Sequence, residues 1–362
     1  MRAAVCRAFG APLEIEDLLL DPPGPGEVAV RVVACAICHS DISLIDGAWG
    51  GALPAVYGHE AAGIVEAVGP AVGAVGPGDR VVVSLLRSCG QCFFCERDEA
   101  HLCEHEFPAD LGGRLRTVAG EHVSQGLHTA AFAEAVVVDQ SQVAVVPPSV
   151  GLDVAALLGC GVITGFGAVV DRAEVPEGSS VLVAGTGGVG LNSVQGAALR
   201  GAAPIIAADL SPAKREAATQ FGATHTIDPA SGDAAEQIRA LTGGRGADYV
   251  FVTAGRGDAI EQGLACVRRG GTLVVVGMPP SGETFRVEAV DLAHNDVRIL
   301  GSKMGSARLA RSVPLLVELY EQGRLKLDEL ITGRYPLERI NDAIADAREG
   351  DALRNVIVLG PE

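Results

Sequence analysis

The stretch VLVAGTGGVGLNSVQGAALR (181–200) decides the fold. It opens as an apolar strand, passes through Gly185-Thr-Gly-Gly-Val-Gly190 and runs on as a helix. Glycines at 185, 187 and 190 let the backbone turn tightly and approach a pyrophosphate. The helix that follows offers its N-terminal N–H groups and its dipole to the phosphates. A lone G-x-G-x-x-G is a weak signal, but this one has a strand before it and a helix after it. Asp209 ends the next strand, PIIAAD (204–209), about 20 residues further on, where a ribose-binding acid is expected. Its charge repels a 2′-phosphate, and Leu210, not an arginine, follows it. The pattern points to NAD rather than NADP.

The chain around this stretch alternates. SPAKREAATQFG (211–222) reads as a helix, and THTID, DYVFVTAG and TLVVVG follow as apolar runs with polar helices between them. Near-continuous apolar strands separated by helices predict a parallel sheet covered on both faces. The first 150 residues differ. VAVRVVA (28–34), IVEAVG (64–69), DRVVVSLL (79–86) and AEAVVVD (133–139) read as strands between Gly/Pro/Asp turns. After about Gly301 come a helix (ARSVPLLVELYEQG), a second helix (LERINDAIADAREG) and a last strand (NVIVLG).

Composition excludes several classes. Lys plus Arg is 28 and Asp plus Glu is 45 in 362 residues, a formal charge of −17. That is the wrong sign for a nucleic-acid binder or for an anionic membrane surface. Apolar residues make up 48% and charged residues 20%, so the chain is not disordered. The 47 glycines and 4% aromatics suit an α/β protein with many tight turns. The uncharged stretches 154–170 and 178–199 are broken by glycines and by Thr164, Thr186, Asn192 and Gln195, so they read as buried strand–turn–helix material. The N-terminus has no apolar core of signal-peptide length, and the expected compartment is the cytoplasm.

Nine cysteines without a signal sequence read as metal ligands or free thiols. Cys89-x2-Cys92-x2-Cys95-x7-Cys103 can close four thiolates around one tetrahedral zinc, and with no fifth ligand nearby the site is structural. An iron–sulfur cluster shares the first two spacings but not the third, and Glu104 stands where its proline would be. His101, His105, His122 and His128 lie in or after this lobe and read as surface residues. Cys38 in ICHSD, His59 in GHE and Cys160 in LLGCGVITG are weak singly. Together they supply two sulfurs and one nitrogen, a catalytic zinc set with a fourth position open.

GHEAAGIVEAVGPAV (58–72), CHSD (38–41), the four-cysteine lobe, GCG (159–161), GTGGVG (185–190) and the ending ITGRYPLERINDAIADAREGDALRNVIV (331–358) resemble the zinc-dependent alcohol dehydrogenases of the medium-chain dehydrogenase/reductase superfamily. The resemblance runs over nearly the whole chain. It implies an α/β fold: a GroES-like β-rich catalytic domain from residues 1–161 and 304–362, with a Rossmann doubly wound parallel sheet, 162–303, inserted between. It implies two zincs per chain and NAD. Cys38, His59 and Cys160 match the catalytic zinc ligands. Glu60 matches the neighbour that approaches the metal, Asp41 the carboxylate that orients the histidine, and Ser40 the hydroxyl that takes the substrate proton. His39 and Arg354 match basic residues on the pyrophosphate, and Lys214 a lysine beside the adenosine. Thr164 and Val189 resemble nicotinamide contacts, and Gly185, Gly187, Gly188, Val189 and Gly190 form the phosphate loop. Trp49, Leu85, Leu127, Met278 and Met304 fall at pocket positions and suggest an apolar or aromatic alcohol, or its aldehyde or ketone. Lys303 falls where the family usually has an apolar residue, and points either to a carboxylate-bearing substrate or to the interface surface.

The chain departs from the family pattern at two places. Many members end the proton relay at a histidine three residues past the serine, where this chain has Ser43. Gly47, Trp49 and Phe107 replace the acidic residues and the arginine of the glutathione-dependent formaldehyde dehydrogenases, which argues against that role. The expected activity is hydride transfer between an alcohol and NAD, with a homodimer as the expected assembly and a tetramer as the other form. A nicotinoprotein that keeps its NAD bound and recycles it would have the same fold. A non-enzymatic binding protein would need a damaged site, and all the ligand and loop residues are present.

Overall fold

The computed structural model describes residues 1–360 and divides the chain into two compact units. One holds Met1–Gly161 and the chain from Arg308 on, and the other is Val162–Ala307. Residues 304–307 thus go with the inserted unit rather than with the outer one.

In the outer unit, strands Arg2–Cys6, Glu14–Leu20, Leu115–Thr117, His122–Gln125 and Ala55–Val56 close into a small barrel. A second sheet runs Val143–Val145, Arg80–Ser84, Glu60–Val68, Glu27–Ala36, Arg354–Val358 and Ile331–Pro336, with Ala135–Asp139 paired to Glu27–Ala36. The valine-rich runs legible in the sequence are the strands of this second sheet. Several barrel strands are too short, or too polar, to announce themselves by periodicity. Glu14–Leu20, for example, reads EIEDLLL. Glu27–Ala36 is the spine: it pairs with three strands and places Cys35 opposite Ala61 and Ala36 opposite Glu60. This register carries the Cys38 segment and the His59 segment to the same end of the sheet. Gly58 makes the approach possible. Its φ is +92°, and a Cβ there would lie 2.6 Å from the backbone nitrogen of the fully buried Phe132. Any side chain would displace His59 from its place.

The inserted unit is a six-stranded parallel sheet in the order His225–Ile227, Ile205–Ala208, Val181–Ala184, Ala247–Val252, Val267–Val275, Arg298–Gly301. The chain starts in the middle, walks to one edge, and returns to build the other half. The switch point lies between Val181–Ala184 and Ala247–Val252, and ligands of such sheets bind at the carboxyl ends of the strands there. Helix Gly188–Leu199 is buried along nearly its whole length, at Gly188 and from Gly190 to Ala197. That burial on all sides explains its uncharged sequence. No single helix among the described residues is long and apolar enough to cross a membrane. Only the bent pair Leu152–Gly159 and Gly161–Arg172 reaches such a composition jointly, and nearly all of its residues are buried.

Candidate metal centres and nucleotide cradle

Strand Glu27–Ala36 ends two residues before Cys38, and Cys38 caps the helix His39–Ile45. The third residue of that helix is Asp41, whose side chain is completely buried. Its Oδ2 accepts the Cys38 N–H at 3.2 Å. Its Oδ1 accepts the Gly58 N–H at 2.9 Å and His59 Nδ1 at 2.9 Å. With Nδ1 donating to Asp41, Nε2 is the ring atom left for a ligand. That atom is buried and has no hydrogen-bond partner, and a buried polar atom without a partner is costly unless something binds it. Ligand atoms of Cys38, His59, Glu60 and Cys160 all lie within 4.8 Å of one another. Two sulfurs and an imidazole around an unpartnered nitrogen fit zinc.

The electrostatics agree. Cys38 is held well below the usual thiol range because the Cys160 thiol donates a hydrogen bond to it, with further help from His59, against the effect of burial. Glu60 is pushed up to about 7, chiefly by burial, with the Arg354 guanidinium pulling the other way. Arg354 Nη2 donates to Glu60 Oε1 at 2.6 Å, and only 5% of the arginine is exposed. Arg354, matched in the sequence to a pyrophosphate contact, thus has an internal partner beside the metal cluster. Gly161 leaves room for it, since a Cβ there would sit 1.9 Å from Arg354 Nη2.

The four sulfurs of Cys89, Cys92, Cys95 and Cys103 form the second cluster. Cys92 is pushed down to about 6, first by the Cys95 N–H and then by that of Glu104. Cys95 is pushed up to about 12, chiefly by burial. Without metal the group therefore holds its protons unevenly; a metal ion needs all four as thiolates. None of His101, His105, His122 and His128 belongs to either cluster among the described residues. His128 Nδ1 lies 3.1 Å from Asp110 instead. The lobe is braced by the Arg97 guanidinium, 3.7 Å from the Phe93 ring centre, and by an ion pair between Arg308 and Asp98.

In the inserted unit the glycine loop has the shape its sequence implies. A Cβ on Gly190 would lie 1.9 Å from the Gly185 carbonyl oxygen, so helix and strand touch there as only glycine permits. A Cβ on Gly187 would meet nothing within 4 Å, so the backbone is open where a phosphate would approach. Asp209 stands at the end of the next strand, half-buried. Its Oδ2 accepts the Thr186 N–H at 2.7 Å and the Thr186 hydroxyl at 3.2 Å, and its Oδ1 accepts the Ser211 N–H at 2.9 Å. Thr253 Oγ1 donates to the Gly185 carbonyl at 2.6 Å. Neither Thr186 nor Thr253 belongs to the residue types that by themselves point to nucleotide binding. Their signal is position, inside the glycine motif and at the strand end across the switch point.

The remaining expected residues divide between the units. Ser40 is half-buried in the first turn after Cys38, and His39 is exposed. Trp49, Leu85 and Leu127 are half-buried in the outer unit, Leu127 with a φ of +51°. In the inserted unit Thr164 Oγ1 lies 3.5 Å from the sulfur of the buried Met304. Val189 and Lys214 are half-buried, Lys303 is exposed, and Met278 is 64% exposed. Met278 is therefore not part of a closed apolar wall within its own unit.

Residues 24–148 match the alcohol dehydrogenase GroES-like domain, and residues 188–321 match the zinc-binding dehydrogenase family. An NDMA-dependent alcohol dehydrogenase of Amycolatopsis methanolica is 37% identical over 99% of this chain and 98% of its own. The chain belongs to the zinc-dependent alcohol dehydrogenases. The crystal structure of an alcohol dehydrogenase zinc-binding domain protein from Burkholderia ambifaria superposes with a TM-score of 0.94 at 37% identity, covering 99% of both chains. That of benzyl alcohol dehydrogenase from Acinetobacter calcoaceticus gives 0.92 at 33% identity, again over 99% of both. The chain is thus a zinc-type alcohol oxidoreductase over its whole described length.

The Asp41–His59 contact yields a prediction for this dehydrogenase. Asp41→Asn keeps an acceptor for one backbone N–H but removes the charge behind the imidazole. Zinc affinity at the Cys38 cluster should fall roughly 10- to 100-fold in competition with a chelator, as for other carboxylates behind a ligating histidine.

Proposed function

We propose that the chain oxidises a small apolar or aromatic alcohol, reversibly, with NAD as the hydride acceptor. The observation that carries this is the unpartnered His59 Nε2 within the buried Cys38–His59–Cys160 set. Cys38, His59 and Cys160 hold the catalytic zinc, and Asp41 keeps the imidazole turned to it. Cys89, Cys92, Cys95 and Cys103 hold a second, structural zinc. When bound, zinc supplies Lewis-acid polarisation of the substrate oxygen and NAD supplies the hydride acceptor. Ser40 receives the substrate's hydroxyl proton. Ser43, one helical turn on, is no base at neutral pH, so the proton passes to water. Glu60 keeps a carboxylate beside the ligands, tied down by Arg354.

Gly185 to Gly190 cradle the pyrophosphate, and Asp209 takes the adenosine ribose. By resemblance to the family, Thr164 and Val189 are assigned to the nicotinamide, Lys214 to the adenosine and His39 to the pyrophosphate. The Cys38→Ser variant should fold yet form no NADH from any member of an alcohol panel that the parent oxidises. Full activity in that variant would refute the zinc role. One observation favours a second reading: a relative 37% identical is named for dependence on NDMA. NAD would then stay bound and be recycled by a second substrate. NAD released from freshly purified, denatured protein separates the two readings.

Thr186 gives a sharper test of the nucleotide assignment. Its hydroxyl and N–H both engage the oxygen of Asp209 that fixes the carboxylate's orientation. Thr186→Val removes one charge-assisted hydrogen bond, worth about 1.5 kcal/mol. The dissociation constant for NADH, read by fluorescence titration, should rise about tenfold, and NADPH binding should change less.

The partner is a second copy of the chain. Strand Arg298–Gly301 is an open sheet edge, and Val287 and Val290 just before it are 39% and 68% exposed. Such an edge calls for covering. Sedimentation should show a dimer, and Val290→Glu, which places a charge on the exposed apolar surface beside that edge, should shift it toward monomer.

A further inference from the structure

The strand Arg80–Ser84 is RVVVS. Its three valines are fully buried apolar residues, and the polar Ser84 that ends it is equally buried. A hydroxyl in that position has to be explained by what it binds. Ser84 stands directly opposite Glu60 in the sheet. Its Oγ donates to the Gly159 carbonyl at 2.6 Å and accepts the Leu86 N–H at 3.3 Å. The Ser84 carbonyl is held in turn by Nε2 of Gln142 at 2.9 Å, and Gln142 is only 1% exposed. Oε1 of Gln142 accepts the Asp139 N–H at 3.2 Å, so the tether is anchored at the end of strand Ala135–Asp139, which pairs with Glu27–Ala36.

The Gly159 carbonyl belongs to the peptide unit whose nitrogen is that of Cys160. Cys160 lies between the turn Leu157–Gly159 and the helix Gly161–Gly167, with φ −150° and ψ −68°, outside both helical and extended ranges. No regular element sets its backbone. Gly159 itself is wedged in place, since a Cβ there would fall 2.6 Å from the Val83 carbonyl and 3.2 Å from the Glu60 Cα. A side-chain hydrogen bond on this peptide plane comes from Ser84. We propose that Ser84 is a positioning residue of the catalytic metal centre. Its hydroxyl fixes the 159–160 peptide plane and thereby aims the Cys160 sulfur at the metal shared with Cys38 and His59. Gln142 holds Ser84 for that task. This inference rests on the ligand assignment proposed above and adds to it a residue that touches neither metal nor substrate.

The test is zinc release from the full-length, zinc-loaded protein to a chelator with a colour reporter. Release in the parent should show two phases, and the phase missing from Cys38→Ser belongs to the Cys38 cluster. In Ser84→Ala that phase should be about 10-fold faster, the size typical for groups that orient a metal ligand. The phase of the four-cysteine lobe should not change. Ser84→Thr, which keeps the hydroxyl, should restore the parent rate. If Ser84→Ala does not fold, Ser84→Cys, with its weaker donor, should show an intermediate rate confined to the same phase. Unchanged release in Ser84→Ala overturns the proposal, as do equal acceleration of both phases and failure of Ser84→Thr to restore. A trace with no Cys38-dependent phase refutes the ligand assignment itself, and the role of Ser84 with it. A Cys38-dependent phase indifferent to Ser84 leaves the ligand assignment standing and removes Ser84 alone.

Discussion

One buried carboxylate organises the outer unit's chemistry. Asp41 is wholly withdrawn from solvent and accepts from Cys38 N–H, Gly58 N–H and His59 Nδ1. A buried charge is tolerated only when it is hydrogen-bonded this fully. The three donors come from the start of a helix and from the loop before another strand, so satisfying Asp41 pins two chain segments together. The closeness of the proposed ligands Cys38 and His59 is a by-product of that constraint. Their separation in sequence is bridged by the antiparallel register of Glu27–Ala36 and Glu60–Val68, which ends at the pair Ala36 and Glu60. Gly58 completes the arrangement by giving up a side chain against Phe132.

The same logic recurs in the inserted unit with the opposite outcome. Asp209 is also a carboxylate that accepts backbone N–H groups, from Thr186 and Ser211. It is only half-buried, however, and so keeps lone pairs for something outside. Its bonds to Thr186 tie the glycine loop to the neighbouring strand end, which preorganises the loop before a phosphate arrives. Asp41 therefore serves the protein's interior, while Asp209 serves a surface. Exposure, not residue type, separates the two roles.

The proposed third ligand needs its own support. Cys160 is far from the Asp41 hub in sequence and lies on an irregular turn. Ser84, Gly159 and Gly161 supply what the turn lacks. One gives a hydroxyl and two give space, for the Val83–Glu60 strands and for Arg354 respectively. The Arg354–Glu60 pair next to it puts a guanidinium against a carboxyl group at full burial beside the ligand cluster, where the cation opposes the rise that burial gives Glu60.

The sequence by itself determined the parallel sheet, its glycine loop and the acidic strand end, because these depend on local periodicity and on spacings within one βαβ unit. It also determined the four-cysteine lobe, whose ligands lie within one short segment. The Cys38, His59 and Cys160 set was legible as three suitable residue types and through resemblance to a family, but not as a cluster. Their meeting depends on strand register and on a barrel whose short strands carry no clear pattern. The tertiary structure alone decided the partners. It turned Arg354 toward Glu60, placed Thr186 on Asp209, left Met278 exposed and set the Ser84 hydroxyl on the Gly159 carbonyl. Apart from the exposure of Met278, each of these is a contact between segments separated in sequence, fixed by packing and by the need to satisfy buried polar groups. Spacing along the chain carries no record of either.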